Sequence, residues 1–346
     1  MRVDRQTINR PTLRDVAEVA GLSVTQTSRA LNGHSDVAAA TRNRALEAAK
    51  QVGYRPNLEA RRLKMPDTRS QSIGLVLSSP DQRFSDPFLG VLLTAIVAEA
   101  AIHDFELQLS TPVDHDGILT LYERAIQNKR VDGFILLRVA SEDSRVQFLL
   151  DKAVPFVTLG RPDAHSGFAS VSESPGGLQA VVAHLAGLGH QSIGVVGLPA
   201  GYAVADLRMA AFHEAMIGHG LQIEPELIVS AGGYYEDDGV ESGRRLLERP
   251  DRPTAVIAFN DLLAVGVAKA ADSLGLTIPG DLSLVAIDDT IMARNVSPPL
   301  TALRNPAQEY GRQLVVELLA AVDQGLHDRN GLVAPELIIR SSTGSP

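Results

Sequence analysis

The chain contains no cysteine. That excludes disulfides, thiolate zinc sites and thiol nucleophiles, and it fits a reducing compartment. No run approaches the roughly 20 apolar residues of a membrane-spanning helix, and the first residues carry no apolar stretch that would direct export. The expectation is a cytoplasmic protein with no membrane partner. Catalytic signatures are also missing: no Gly-x-Gly-x-x-Gly opens a helix after a strand, and neither a P-loop nor a Gly-x-Ser-x-Gly elbow occurs. His184 and His190 stand six apart, off one helical face, which is not metal-ligand spacing. No enzyme activity, metal or cofactor is therefore expected.

Charge of one sign is scarce where the whole-chain total hides it. The 346 residues are 45% hydrophobic and 21% charged, a globular composition with room for two or three domains, and the net charge is −9. Residues 1–66 hold twelve Lys and Arg against six Asp and Glu, a surplus of six, which leaves −15 on the remainder. A basic head on an acidic body suits a head that meets phosphates, although a short segment can also be basic by chance.

Residues 12–34, TLRDVAEVAGLSVTQTSRALNGH, read as two short helices at an angle. Thr12 with Asp15, and Ser23 with Gln26, have capping-box spacing; Val16, Ala17, Val19 and Ala20 supply a buried stripe to the first helix. Gly21 breaks that helix, and Asn32-Gly33 ends the second. If Thr27, Ala30 and Leu31 face inward, then Val24, Thr25, Gln26, Ser28 and Arg29 face out. Hydroxyl, amide, methyl and guanidinium groups of this kind read base edges in the major groove. A helix pair alone would also suit an ordinary solvated hairpin.

After a loose polar arm over residues 1–11 and these two helices, HSDVAAATRNRALEAAKQVGY offers a third, with Leu46, Ala49 and Val52 inward and Arg42 and Arg44 outward. Gly53 stops it, and Asn57 could cap a further short helix. LEARRLK, residues 58–64, is too short to be a stable helix alone. It sets Arg61, Arg62 and Lys64 around Leu63, a composition suited to a segment that orders on DNA and wedges a leucine into the minor groove. A plain basic linker is the other reading, and residues 65–72 read as linker proper.

From residue 73 strands and helices alternate. Strands are expected at 73–78, 106–110, 131–137 and 155–160, then at SIGVVGL, ELIVS, AVIAF and LSLVAI, with helices between them such as 87–103 and 239–248. TALRN and ELIIR flank a last helix, 306–324. Two successive sets of apolar strands with crossover helices imply two parallel-sheet lobes. Ligands in such folds bind beyond the carboxyl ends of strands, here in the cleft between lobes. The residues to inspect are therefore 79–88, Arg138, Gly160-Arg161, Asn260-Asp261, Asp288-Asp289 and Asn305, any of which could instead be a helix cap.

In order, TLRDVAEVAGLS, SRALNG, TRNRALEAAKQVGYRPN, ARRLK, SIGLVL, VDGFIL, HLAGLGHQSIGVVG, PTAVIAFNDLLAVGVAKAADSLGLTIPGDLSLVAIDD, PPLTALRNP and ELIIRSST make the chain resemble the lactose-repressor/galactose-repressor (LacI/GalR) family of bacterial transcriptional regulators over nearly its whole length. The resemblance implies a small all-α helix-turn-helix domain plus an α/β, two-lobed sensor of the periplasmic-binding-protein kind. It implies a homodimer on near-palindromic double-stranded operator DNA, and a small-molecule effector, a sugar or alternatively a purine. A periplasmic-type sugar-binding protein is the rival from another class, disfavoured by the basic head. The expected domains are a headpiece at 1–56, a hinge helix and linker at 57–70, and a sensor at 71–346. Within the sensor, lobe 1 takes 71–172 and 303–331, and lobe 2 takes 173–302 and 332–342.

By that resemblance Val24, Thr25 and Arg29 read bases and Leu63 wedges the minor groove. Thr12, Ser23, Gln26, Ser28, Asn32, Tyr54, Asn57, Arg61 and Lys64 complete the expected DNA contacts. Arg208, Asn260 and Asp288 fall where effector hydroxyls are held, with Asp86, Phe88, Arg138, Arg161, Tyr234 and Asn305 as further cleft positions. The chain departs from the family in four places. Gln26-Thr27 replaces the usual Thr-Val, Ala38 stands where a serine usually caps the third helix, and Ser172-Glu173 replaces the usual Asp-Asn. No heptad-bearing tail follows Arg340, which favours a dimer over a tetramer.

Overall fold

The computed structural model describes residues 11–32, 34, 36–54, 69–77, 86–112, 117–162 and 165–346. The chain divides into two compact units, Met1–Ser70 and Gln71–Pro346. The expected hinge helix, with Asn57, Arg61, Leu63 and Lys64, lies outside the described residues.

The first unit holds three helices, α1 (Leu13–Ala20), α2 (Val24–Leu31) and α3 (Ala39–Val52). Both capping boxes form, Thr12 with Asp15 and Ser23 with Gln26, so the first-turn N–H groups of α1 and α2 are satisfied locally. Gly21 takes the left-handed conformation (φ 62°) that closes α1, and the Arg44 guanidinium donates to the Ala20 carbonyl at 2.7 Å, a cation at a helix C-terminus. Ala38 makes no side-chain cap on α3.

Val16, Ala20, Ala48 and Ala49 form the core of this unit, with Leu22, Leu31, Val52 and Tyr54 packed against it. Two expected core members face out: Val19 is 47% and Leu46 43% exposed. Each lies about 100° round its helix from the centre of the buried set, and the small alanines let the helices approach on the other side.

The second unit contains two six-stranded sheets. The first runs β11-β5-β4-β3-β1-β2, all parallel, from β1 (Ser72–Val76), β2 (Glu106–Ser110), β3 (Gly133–Leu136), β4 (Phe156–Leu159), β5 (Ala169–Glu173) and β11 (Arg329–Val333). Helices α4 (Pro87–Ile102), α5 (Ile118–Gln127) and α6 (Ser144–Asp151) link its strands. Its two faces are buried by two apolar clusters, one around Ile73, Leu75 and Ile96, the other around Tyr122, Phe134 and Phe156.

The second sheet runs β12-β10-β9-β8-β6-β7, from β6 (Ile193–Gly197), β7 (Ile228–Ser230), β8 (Ala255–Ala258), β9 (Ser283–Asp288), β10 (Thr301–Arg304) and β12 (Glu336–Ile338). It is parallel except for β12, which pairs antiparallel to β10. Helices α7 (Gly176–Gly187), α8 (Ala203–Gly218), α9 (Glu236–Leu247), α10 (Asp261–Ser273) and the short α11 (Ile291–Asn295) surround it, and α12 (Ala307–Gln324) returns to pack on α4. The crossing of α9 with α10 depends on glycine: a Cβ on Gly266 would stand 2.6 Å from the Gly239 Cα.

The chain passes between lobes after β5, after β10 and between β11 and β12. The boundary expected at 302/303 would cut β10; that strand stays whole in the second sheet and the crossing falls at Asn305-Pro306. The next crossing falls after Val333, because β11 completes the edge of the first sheet. Strands β5 and β11 have no counterpart among the expected strands. Their sequences, ASVSE and RNGLV, mix polar and small residues instead of forming an apolar run. On β5 even Ser170 and Ser172 are buried, because helices and the cleft cover both sheet faces.

Candidate functional site

In the head, α2 exposes Val24, Thr25, Gln26 and Arg29 and half-buries Ser28. Thr27 is buried, its hydroxyl donating to the Ser23 carbonyl at 3.0 Å. Thr12, Ser23 and Gln26 spend side-chain atoms on the capping boxes, and Asn32 Nδ2 donates to Ser28 Oγ at 3.3 Å. Arg29 pairs with Asp36, and that hydrogen bond lowers the Asp36 carboxyl below its usual range. Tyr54 packs on the head core, where burial raises its phenol. The exposed face thus offers an apolar branch, a hydroxyl, an amide and a guanidinium within two turns of helix, a set of groups suited to base edges.

In the sensor, the strand ends of both lobes converge on a partly open cavity, about 850 Å³ when the solvent at its mouth is counted with it. Of the expected effector residues, Asp86, Phe88, Arg138, Arg208, Tyr234, Asn260, Asp288 and Asn305 line it. Arg161 does not. Gly160, in the left-handed region at φ 85°, lines the cavity in its place and turns the chain away; the Arg161 guanidinium then lies over Phe168 and donates to Asp328 at 2.7 Å. Asp261 and Asp289 are structural. Asp261 accepts from the Thr290 amide, and Asp289 is held by Arg294, Arg304 and Arg340.

The polar end of the cavity is one connected network. Arg208 opens outward from α8 yet is 6% exposed. Its Nε and Nη2 donate to Glu173 Oε2 at 3.0 and 2.7 Å, Nη2 reaches Asp288 Oδ1 at 3.4 Å, and Nη1 meets the Phe259 carbonyl. Asn305 Nδ2 donates to Asp288 Oδ1 at 2.9 Å and to Glu173 at 3.3 Å, and the Tyr310 hydroxyl donates to Asn305 Oδ1 at 3.3 Å. Burial pushes the Asp288 carboxyl up to about 8 against the opposing pull of Arg208, and it raises the Tyr310 phenol. Asp288 also holds φ at 108°, a strained conformation for a residue with a side chain.

Across the cavity Arg138 lies 3.5 Å from Asp86, and its guanidinium stacks 4.0 Å from the centre of the Tyr234 ring. Burial raises the Asp86 carboxyl and the Tyr234 phenol, whose hydroxyl makes no hydrogen bond among the described residues. Phe88 and Tyr310 meet edge to face at 6.4 Å. Asn260 does double service: it caps α10, accepting from Leu263 at 2.7 Å, and donates to the Tyr234 carbonyl at 2.9 Å.

Among lining side chains that can hydrogen-bond, sequence reasoning leaves out two, Glu173 and Tyr310. Both flank interlobe crossings, Glu173 at the end of β5 and Tyr310 in the first turn of α12 just after Asn305. A signal exists for Tyr310, which stands in the first turn of a helix that opens just after the Asn305 crossing.

Away from the crossings the lobes also touch. Ala140 and Tyr202 form an antiparallel bridge, Ala203 N donates to Val139 O at 3.0 Å and Ser141 N to Gly201 O at 2.9 Å. A ligand in the cavity would be held between these contacts and the crossing strands.

No group of metal-ligating side chains occurs among the described residues, and no described helix is long and apolar enough to cross a membrane. His184 meets Thr343, and His190 is satisfied by Thr254, Ser283 and the Gly344 carbonyl, which accounts for both histidines structurally.

Comparison with known proteins agrees with this geometry. Residues 12–57 match bacterial regulatory proteins of the lacI family, and residues 182–343 match the periplasmic binding protein-like domain. The HTH-type transcriptional regulator AglR of Rhizobium meliloti (strain 1021) is 33% identical over 96% of this chain and 94% of its own length. The HTH-type transcriptional repressor PurR of Haemophilus influenzae (strain PittEE) is 30% identical over 96% and 99%. Among solved structures, a lac repressor dimer bound to operator and the anti-inducer ONPF superposes with a TM-score of 0.82 at 26% identity, covering 97% of this chain and 100% of that one. A complex of the transcriptional regulator CelR with cellobiose gives 0.74 at 27% identity, covering 96% and 100%. A helix-turn-helix head and a two-sheet sensor with a cleft, matched along nearly the whole length by such regulators, place this chain in the LacI family of bacterial transcriptional regulators.

Proposed function

We propose that this protein is a sequence-specific repressor of carbohydrate-utilisation genes, controlled by a small sugar bound between the two sensor lobes. The lining of the cavity carries the reading. Amide, carboxyl and guanidinium groups gather at one end, and Phe88, Tyr234 and Tyr310 supply flat apolar faces. Hydroxyls on a sugar edge and C–H groups on its face need that division. Tyr234 Oη, which lacks a partner among the described residues, is available to a ligand hydroxyl. The cellobiose complex of CelR supports the same reading by relationship.

The control is a coupling between sites. Glu173 and Asn305 belong to the cavity and flank the crossings between lobes, so a ligand that engages them acts where the lobes pivot. In a cytoplasmic homodimer on a near-palindromic operator, the lobe angle would set the spacing of the hinge segments at 57–64, and with it the fraction of dimers competent to bind.

A thermal-shift screen of sugars and nucleobases on the full chain tests the reading. A ligand at 100 times its Kd stabilises by about 2.7 kcal/mol. A sugar that shifts the melt and also changes retention of a promoter fragment supports the proposal. A purine reading, favoured by the aromatic lining and by the PurR relatives, takes its place if only nucleobases do both.

A further inference from the structure

Among the described residues two arginines line the cavity, and each already faces a carboxyl group. We infer that the effector of this protein is uncharged, and that Glu173 is the specificity-determining residue that closes the cavity to anionic ligands. This rests on the reading of the cavity as the effector site.

Arg208 is the most deeply placed cation of the cavity, and an anionic ligand would need it as counter-charge. Two of its donors already converge on a single oxygen of Glu173, at 3.0 and 2.7 Å, in an environment where both side chains are about nine-tenths or more buried. Asp288 takes part of the remaining donor capacity at 3.4 Å. Opposite, Arg138 is 3.5 Å from Asp86 and committed to the Tyr234 face. The described lining therefore sets three carboxyl groups against two guanidiniums. A carboxylate or phosphate entering it would leave water without gaining an unpaired cation, and a buried charge without a partner is strongly disfavoured.

Glu173 stands out among these carboxyls because of where it comes from. Arg208 and Asp288 belong to the second lobe, whereas Glu173 ends β5 of the first and is presented at a crossing. Glu173 is also the closer partner of Arg208, taking two of its donors at 3.0 and 2.7 Å where Asp288 takes one at 3.4 Å. Replacing it with glutamine keeps a similar shape and an acceptor oxygen but removes the charge, leaving Arg208 open to an anion.

The test compares matched ligands on the full-length protein and on Glu173→Gln by calorimetry and thermal shift at pH 7. The probes are neutral mono- and disaccharides against their uronate or aldonate counterparts, and hypoxanthine against the anionic purine urate. In the wild type the neutral member of a binding pair is expected to bind at least about tenfold more tightly than the acid. In Glu173→Gln that preference should shrink by about tenfold or reverse. An acid that binds the wild type as tightly as its neutral counterpart overturns the inference, and so does an unchanged preference in a folded variant. The wild-type comparison stands without the variant should Glu173→Gln fail to fold. If hypoxanthine binds and no sugar does, the sugar reading fails, while the charge rule is still judged by hypoxanthine against urate.

Discussion

Asp288 concentrates the tension of the sensor in one residue. It ends β9 with φ at 108°, its carboxyl is buried, and Asn305 and Arg208 share its Oδ1. Because its folded value of about 8 lies above the unfolded value near 4, the native state keeps a proton that the unfolded chain has released in between. Stability from this group is therefore present in full below about pH 4 and is lost as pH rises through 8. Asp288→Asn removes the titration, and asparagine tolerates positive φ better than most residues. The variant's melting temperature relative to the wild type should be higher at pH 8.5 than at pH 5.5. Equal differences at the two pH values would mean that Asp288 does not hold a proton.

Arg138, Asn260, Asp288 and Asn305 sit where a strand ends, and a chain reader can count to that place; Arg208, on α8, does not, and the family resemblance is what names it. Arg161 satisfies the same rule and fails, because the left-handed Gly160 before it turns the side chain outward. Glu173 is hidden because β5 itself is hidden.

Elements differ in how far local chemistry determines them. Both capping boxes of the head can be read from four residues each, since the groups that satisfy the first turn are neighbours in sequence. Ser23→Ala should loosen α2 by about 1 kcal/mol, seen as roughly fivefold faster hydrogen exchange in its first turn. Ala38→Ser, at the uncapped start of α3, should slow exchange there by a similar factor. A change of sign in either would show that the caps are not what holds these helices.

The crossing of α9 and α10 is the opposite case. Nothing local announces that Gly239 and Gly266 must meet, because the requirement belongs to two helices separated by β8. Gly266→Ala would push a methyl into the backbone of α9. Overpacking of that kind costs about 1–3 kcal/mol or more, and the melting temperature of the sensor should fall by several degrees. The inward faces of α1 and α3 are misjudged from sequence at Val19 and Leu46 for a related reason: alanine on the opposite side admits a closer approach than a larger residue would.

At the scale of the molecule, the chain divides its two tasks between units that carry opposite charge. Residues 1–66 carry a surplus of six positive charges, and the rest carries −15. The acidic unit should be repelled by DNA, so operator affinity must come from the amino-terminal segment. Substitutions in the two units should therefore separate completely. Arg29 is exposed on α2 and its pair with Asp36 is also exposed, so Arg29→Ala should leave the fold and the ligand-induced thermal shift intact. If Arg29 reads a base, operator affinity should fall by about 1–3 kcal/mol, with relaxed preference at one position of each half-site. Arg208→Ala should do the reverse. It removes the cation that joins Glu173 to Asp288, and ligand should no longer alter retention of the promoter fragment, while retention without ligand persists. The two variants are read in one gel-shift titration with and without effector. Loss of both properties in either single variant would mean that the units do not act as separate reader and sensor, and an unchanged ligand response in Arg208→Ala would remove that side chain from the effector site.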